Sequence, residues 1–421
     1  MDIFEELSWR GLINQVSDEA GLKDYLSTPG RSLYCGFDPT AQSLHVGNLV
    51  PLLSLVRFKK AGHEPIFLLG GATGRIGDPS GKDKERELTS EEQLDAQAAR
   101  IEAQVRAFFE RNTGDQPIVV NNYDWTRGLT ALELLRDVGK HFTINWMLGK
   151  DSVKNRIQRE ETGISYTEFS YMVLQGYDFY HLYKEHDCRL QIGGSDQWGN
   201  ITAGCELVRR KEGGTGFALT FPLITTASGA KFGKSAGNAI WMDPDMSSPY
   251  SLYQYFINTE DADVIRFLKY FTFLTRDQIG RLEQSLKDEP HKRRAQTALA
   301  EEVTRIIHGD GELLKVIAAT QALFHAGDLH KVDVTTLRHA LDSAPTQTYS
   351  KAALPDVFQM LVDLGLAKSK GQARKDAQAG GVYVNNERMA PDFTPTAESL
   401  IGGKLLLLRK GKKNYGLVVA E

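Results

Sequence analysis

Over roughly the first 220 residues, short apolar runs alternate with stretches of helical periodicity. The runs at 32–37, 65–69, 116–121 and 188–192 predict buried strands, and the segments 46–61, 90–110, 131–142, 166–185 and 200–211 predict helices. That alternation implies an α/β fold: a parallel sheet covered by helices on both faces, with a ligand at the carboxyl ends of the strands. Gly36, the run Gly70-Gly71-Ala72-Thr73-Gly74 and the pair Gly193-Gly194 each follow a strand. All would border one crevice, where backbone must approach a ligand closely. Pro51 does not break its helix if Asn48 is near the N-cap, because an N–H in the first turn has no intrahelical partner to lose.

From Tyr250 to about Phe324 strand signals vanish and helical stretches follow one another, which predicts an all-helical domain. Thr275-Arg276-Asp277-Gln278 has capping-box spacing. The polar stretch 344–350 reads as a linker. The final unit, from about Leu354, begins with two short helices and continues through Val382-Tyr383-Val384 into a tight turn at Asn385-Asn386.

A chain of 421 residues with 41% hydrophobic and 25% charged positions is long enough for two or three ordinary soluble domains. Its acidic, amphipathic start is unlike a signal or transit peptide, and the aliphatic run 405–408 is too short to span a bilayer. Three cysteines, an odd number without a CxxC pair, fit reduced thiols in the cytoplasm. The net charge of −4 conceals an asymmetry. From Lys351 onward there are 11 Lys/Arg against 7 Asp/Glu, a net of +4, so the remainder carries −8. The excess lies in Lys368, Lys370, Arg374 and Lys375 and in Arg409, Lys410, Lys412 and Lys413, which points to a polyanionic partner for the tail.

The candidate chemistry begins where a predicted strand runs through Asp38-Pro39-Thr40 into Leu44-His45-Val46-Gly47-Asn48. An imidazole and a glycine at a helix start suit a phosphate chain, since free N–H groups and the helix dipole favour negative charge there. Far downstream, Lys231-Phe232-Gly233-Lys234-Ser235 places two lysines around a glycine, as a mobile clamp on the same phosphates needs. Together the two segments suggest a nucleotide handled for adenylyl transfer. On the helix opened by Ser165-Tyr166-Thr167-Glu168, the residues Tyr171, Gln175 and Asp178 share one face. This polar stripe is compatible with a binding site, with a solvated surface and with internal hydrogen bonding.

The segments Tyr34-Cys35-Gly36-Phe37-Asp38-Pro39-Thr40, Gly70–Gly74, Gly77-Asp78-Pro79-Ser80-Gly81-Lys82, the Tyr171–Asp178 stripe, Gln191-Ile192-Gly193-Gly194-Ser195-Asp196-Gln197-Trp198 and Lys231–Ser235 occur in that order. This succession resembles the class I aminoacyl-tRNA synthetases, most closely the bacterial tyrosyl branch, over essentially the whole chain, including a tail similar to the S4 RNA-binding domain. The resemblance implies a Rossmann-like catalytic domain at 1–228, a mobile lysine loop and connector at 229–247 and a helical anticodon-side domain at 248–325. It further implies a helix and linker at 326–353 and an S4-like domain at 354–421. The implied substrates are L-tyrosine, ATP accompanied by magnesium, and tRNA(Tyr). A homodimer and a cytoplasmic location are implied as well, with no membrane association.

Residue roles come from the same resemblance. His45 and Thr40 are expected at the ATP phosphates, with Asp38 nearby, and Gly47 where adenine lies against the helix. Asn48 stands where the family usually has a second histidine, and its amide N–H can still donate to the ribose. Lys231 and Lys234 match the lysine loop, Phe232 and Gly233 replacing the class-wide Met-Ser. Lys82 and Arg86 match a second loop that encloses pyrophosphate. Tyr34 and Asp178 are expected at the phenolic hydroxyl of tyrosine. Asp78, Tyr171 and Gln175 belong at its ammonium group, Gln197 near its carboxylate, and Asp196 with the Gly194 backbone at the ribose. No metal-ligand cluster is visible in the sequence. Three other readings compete: an RNA-binding protein on an inactive synthetase scaffold, a pantothenate synthetase-like nucleotidyltransferase, and a tryptophanyl-tRNA synthetase. The complete amino-acid pocket and both loop lysines disfavour the first, the helical domain and basic tail the second, and the tail with the Tyr34/Asp178 pair the third.

Overall fold

The computed structural model describes residues 2–80, 89–150, 153–154, 157, 163–227, 229, 232–235, 238–324, 328–342, 344–390, 393–411 and 414–421. The chain forms two compact units, Met1–Asp243 with Thr259–Glu302, and Pro244–Asn258 with Val303–Glu421.

The first unit is built on a six-stranded sheet of β1 (Gln15–Val16), β2 (Ser32–Phe37), β3 (Glu64–Leu69), β4 (Ile118–Asn121), β5 (Leu190–Gly194) and β6 (Phe217–Phe221), in the spatial order β1-β6-β5-β2-β3-β4. β1 pairs antiparallel with β6, and all other neighbours are parallel. The sequence moves outward from β2 through β3 to β4, then returns to β5 on the other side of β2. This reversal opens a crevice at the carboxyl ends of β2 and β5, the expected ligand position in an open α/β sheet. Leu33, Ile66, Phe67, Leu190 and Leu219 are almost completely buried, as strands covered on both faces require.

Four predicted strands form within two residues of the expected bounds. β6 escaped prediction although Phe217-Ala218-Leu219-Thr220-Phe221 is a continuous buried run. The helix expected at 46–61 starts with a tight turn, Val46–Asn48, before Leu49–Lys60, so Pro51 does fall in the first α-helical turn. The helix expected at 131–142 is broken into Ala131–Glu133, a wide π turn at Leu134–Val138 and a tight turn at Gly139–His141. Ser165 caps Tyr166–His186 through the Glu168 N–H, and Thr275 with Gln278 closes a complete capping box on Arg276–Asp288.

In the second unit, helices Pro249–Ile257, Asp310–Phe324 and Val334–Ala340 precede a five-stranded sheet. β7 (Lys234–Ser235) and β8 (Asn238–Ala239) are a short antiparallel pair of the first unit, so this second sheet comprises β9 (Thr346–Tyr349), β10 (Val382–Val384), β11 (Glu387–Arg388), β12 (Leu405–Lys410) and β13 (Asn414–Ala420). Helices Val357–Asp363 and Lys370–Gln378 share a core with it, including Met360, Leu361, Leu406, Leu408 and Val418. Asn385 and Asn386, with φ of 48° and 67°, make the left-handed turn joining β10 to β11. The stretch expected to be a linker is instead β9, paired in parallel with β13 at the sheet edge. Thr346, Gln347 and Thr348 are exposed, and an edge strand with polar outward side chains has the composition of a linker.

Candidate active site

Tyr34, in the middle of β2, is 1% exposed and meets Phe179 edge-on at 5.5 Å. Its phenol finds no hydrogen-bond partner among the described residues. Burial, reinforced by the nearby Asp178 charge, holds its pKa well above the ordinary value, so the group keeps its proton. Asp178, on Tyr166–His186, is 3% exposed. Asn122 Nδ2 donates to one of its carboxylate oxygens at 2.9 Å and Trp125 Nε1 to the other at 2.9 Å. Burial pushes its pKa up to about 7 although both bonds pull the other way. A fixed carboxylate beside an unpartnered phenol makes a buried donor–acceptor pair, suited to a ligand hydroxyl that both donates and accepts.

Above this floor, Asp38 joins two elements: Thr73 Oγ1 donates to Oδ1 at 2.6 Å and Tyr171 Oη to Oδ2 at 2.9 Å. Asn122 extends the network by donating to Thr73 Oγ1 at 3.0 Å and accepting from the Ala72 N–H at 2.7 Å. Asp38 therefore belongs with the amino-acid stripe as well as with the end of β2. Gln175 presents a buried Oε1 with no partner among the described residues. Asp78 accepts from Gln197 Nε2 at 2.7 Å and from the Ser80 N–H at 2.9 Å, while Asn200 Nδ2 donates to Gln197 Oε1 at 3.1 Å. Asp78, expected at an ammonium group, and Gln197, expected at a carboxylate, are thus neighbours. Gly194 and Asp196 sit half-buried where β5 turns into Trp198–Glu212.

The segment from Thr40 to Asn48, expected at the phosphates, is more open. Thr40 is exposed, its N–H donating to the Asp38 carbonyl at 2.8 Å. His45 caps Val46–Asn48: its Nδ1 accepts from the Gly47 N–H at 3.0 Å, which in the neutral ring puts the proton on Nε2. Asn48 Oδ1 accepts from the His45 N–H at 3.1 Å, completing a capping box and leaving the Nδ2 protons for other acceptors. A Cβ at position 47 would come within 2.7 Å of His45 Cε1 and 2.8 Å of Nδ1, so any side chain there would push the imidazole from this position. The Val46 N–H donates to the Ile240 carbonyl and the Ile240 N–H to the Gly233 carbonyl, each at 2.9 Å. This laces the histidine segment to the lysine-loop segment. Lys82, Arg86, Lys231, Lys412 and Lys413 lie outside the described residues, as does the side chain of Lys234.

In the second unit, Lys368, Arg374 and Lys375 are exposed. Lys370 pairs with Asp356 at 2.9 Å and Lys410 with Asp376 at 2.7 Å, while Arg409 lies over the Tyr383 ring at 3.9 Å. The basic positions gather on one small domain, yet two of them already have anionic partners.

Sequence reasoning missed Asn122, Trp125, Thr73 and Asn200. The signal for Asn122 and Trp125 is their place directly after β4, a strand that also ends at the ligand side of the sheet.

The model of the family described as "tRNA synthetases class I (W and Y)" matches residues 28–325, and that of the "Tyrosine--tRNA ligase SYY-like C-terminal domain" matches 336–418. The chain is 51% identical over 421 residues to the tyrosine--tRNA ligase of Geobacillus kaustophilus and 50% identical to that of Geobacillus stearothermophilus, covering 99% of each chain in both cases. Among solved structures, a C-terminally truncated mitochondrial tyrosyl-tRNA synthetase from Aspergillus nidulans matches with a TM-score of 0.70 at 36% identity, over 77% of this chain and 94% of that one. The chain belongs to the class I tRNA synthetases of the tryptophan and tyrosine group, and within it to the tyrosine--tRNA ligase family.

Proposed function

We propose that this site activates L-tyrosine and passes it to tRNA(Tyr). A carboxylate oxygen of tyrosine attacks the α-phosphorus of ATP, and the bond from that phosphorus to the bridging oxygen breaks, releasing pyrophosphate. A ribose hydroxyl at the 3′ end of the tRNA then attacks the acyl carbon of tyrosyl-adenylate, and AMP leaves. Neither step needs a covalent enzyme intermediate, so catalysis consists of positioning and charge stabilisation. Asp178 accepts from the substrate phenol while Tyr34 donates to it. Asp78, Tyr171 and Gln175 surround the ammonium group, with Gln197 beside it. His45 Nε2–H and Thr40 meet the phosphates, and Lys82, Arg86, Lys231 and Lys234 neutralise the charge that develops on pyrophosphate. Asn48, Asp196 and the Gly194 backbone take the ribose, and Gly47 leaves room for adenine. Magnesium enters as the counter-ion of ATP, part of the substrate. Lys368, Lys370, Arg374, Lys375, Arg409, Lys410, Lys412 and Lys413 receive tRNA phosphates.

The observation that carries this reading is the buried pair of Tyr34, unpartnered, and Asp178, held at both oxygens. It answers a phenolic hydroxyl and leaves polar groups unsatisfied when phenylalanine enters. ATP–pyrophosphate exchange with each amino acid in turn tests it. Exchange with tyrosine alone is expected, exchange with tryptophan would reassign the pocket, and none at all would favour the inactive RNA-binding scaffold.

A cytoplasmic homodimer completes the proposal. Leu132, Leu135, Ile144 and Leu148 are all large apolar residues left exposed in the first unit, Leu132 at 79%, which supports a self-association surface. No helix among the described residues is long and apolar enough to cross a membrane. Sedimentation of the purified chain checks the dimer.

A further inference from the structure

Two charges on a loop can grip phosphate only if the loop returns to the same place each time. Phe232, between Lys231 and Gly233-Lys234, is 6% exposed. It stacks on Phe271 at 4.9 Å with 11° between the rings and meets Phe267 edge-on at 5.0 Å. Phe267 and Phe271 are four residues apart on the helix Asp261–Phe271, hence on one face.

That helix is itself unusually well held. Arg10 donates to the carbonyls of Lys269 at 2.8 Å, Thr272 at 3.0 Å and Leu274 at 2.7 Å, and Arg57 to those of Tyr270 at 2.8 Å and Thr272 at 3.0 Å. Two guanidinium groups thus serve carbonyls at and just beyond the C-terminus, where an α-helix leaves them without internal partners and the dipole is negative. Toward its N-terminus, Asp263 accepts from the Ala227 N–H at 2.8 Å and Arg266 donates to the Thr225 carbonyl at 2.6 Å. The helix therefore holds the chain before the lysine loop and again at Phe232. On the far side, Gly233, at φ +84°, has its missing Cβ position 3.0 Å from Val46 Cγ2, and its carbonyl is tied through Ile240 to the residue after His45.

We propose that Phe232 is a positioning residue: seated on Phe267 and Phe271, it fixes the pivot of the lysine loop relative to His45, so that Lys231 and Lys234 meet the departing pyrophosphate together with the imidazole. The proposal rests on the reading of that loop as a phosphate clamp. Phe232 touches no reacting atom and acts through its neighbours. A larger loop displacement costs rate because the clamp works on charge that exists only as pyrophosphate leaves, whereas the tyrosine slot is built from β2 and Tyr166–His186 and does not involve this ring.

The test compares Phe232→Ala, Phe232→Leu, Phe267→Ala and the Phe232→Ala/Phe267→Ala double variant in the full chain, with Lys234→Ala as reference. Pyrophosphate exchange and equilibrium tyrosine binding are measured on each. Phe232→Ala is expected to lower kcat for activation roughly 100-fold, as a displacement of about 1 Å can do. Its tyrosine affinity stays within about twofold of normal, which also certifies an intact pocket. Phe232→Leu, which keeps an apolar anchor, recovers most of the rate, and adding Phe267→Ala to Phe232→Ala costs little more. Unchanged kcat in Phe232→Ala beside a slow Lys234→Ala overturns the anchor alone. Normal activation by Lys234→Ala overturns the clamp reading and the anchor with it. Fully additive losses, or equal loss of tyrosine affinity, assign Phe232 to general packing instead.

Discussion

Asp178 and Lys370 each carry a charge beside a partner, but their surroundings differ. Asp178 is 3% exposed, with each oxygen held by a different side chain, while the Lys370 side chain is 42% exposed against a still more open Asp356. In the first case water cannot replace a lost partner, so one atom decides which ligand is accepted. In the second, water and salt compete for every contact and a single pair contributes little. On the proposed reading, the tyrosine slot would discriminate through a few fixed groups. On the same reading, the basic tail would accumulate affinity from many interchangeable ones.

The largest expected effect lies at the catalytic edge of the buried region. On the proposed reading, His45→Ala removes a donor to charge present only during reaction. By analogy with other such donors it should cost about 2.7–4 kcal/mol in kcat while tyrosine affinity barely changes. Activation kinetics beside tyrosine titrations check this, and normal activation would remove His45 from the phosphate site.

Asp178→Ala comes next. Losing a hydrogen bond to a charged group should weaken tyrosine by about 1.5–3 kcal/mol and phenylalanine far less, as competition binding would show. Equal losses for both amino acids would make Asp178 a support of the fold.

The raised pKa of Asp178 gives a third effect. If the substrate phenol donates to the ionised form, tyrosine affinity should fall about tenfold from pH 8 to pH 6, and the dependence should vanish in Asp178→Asn. The stability sign is opposite. A carboxyl raised from 3.8 to about 7 in the folded state stabilises below pH 3.8 and loses that stabilisation as pH rises through 7. Asp178→Asn should therefore gain in Tm relative to the parent between pH 4 and pH 8. A parallel pair of Tm–pH curves would contradict the raised value.

The smallest single effects belong to the tail. Replacing Lys368, Arg374 or Lys375 by alanine should leave activation intact and flatten the slope of log affinity for tRNA against log salt by about 0.7–0.9 each. Lys370→Ala should change affinity less than these, because the Lys370 ammonium must give up its pair with Asp356 to reach a phosphate. A tail variant as damaging as His45→Ala would break the contrast between the two regions.

Much of this was legible in the sequence because it depends on local pattern. The strand at 32–37 and the face shared by Tyr171, Gln175 and Asp178 come from periodicity alone, and both are present. Contact through space remained hidden. The place of Asn122 and Trp125 just after β4 marks them as near the crevice but does not name the carboxylate they fix, more than 50 positions away, and the polarity of Thr346-Gln347-Thr348 is the same for a linker and for an exposed sheet edge. Phe232 was visible only as a departure from the family motif. Its stacking on Phe271 supplies the physical reason for an aromatic there.

The pairing of β9 with β13 has a mechanical side. β9 is where the chain enters the second sheet, β13 comes after every other strand of that sheet in sequence, and the two run parallel with Leu417 opposite Thr346 and Ala420 opposite Tyr349. Tension drawn through the entering chain against the far end of β13 loads these bonds in shear, all at once, rather than unzipping them one after another. The entry is latched by a strand that begins more than 60 residues further along the chain. Loss of the final few residues, which include the Glu421 N–H donating to the Tyr349 carbonyl at 3.0 Å, would open that latch and leave β9 without its neighbour.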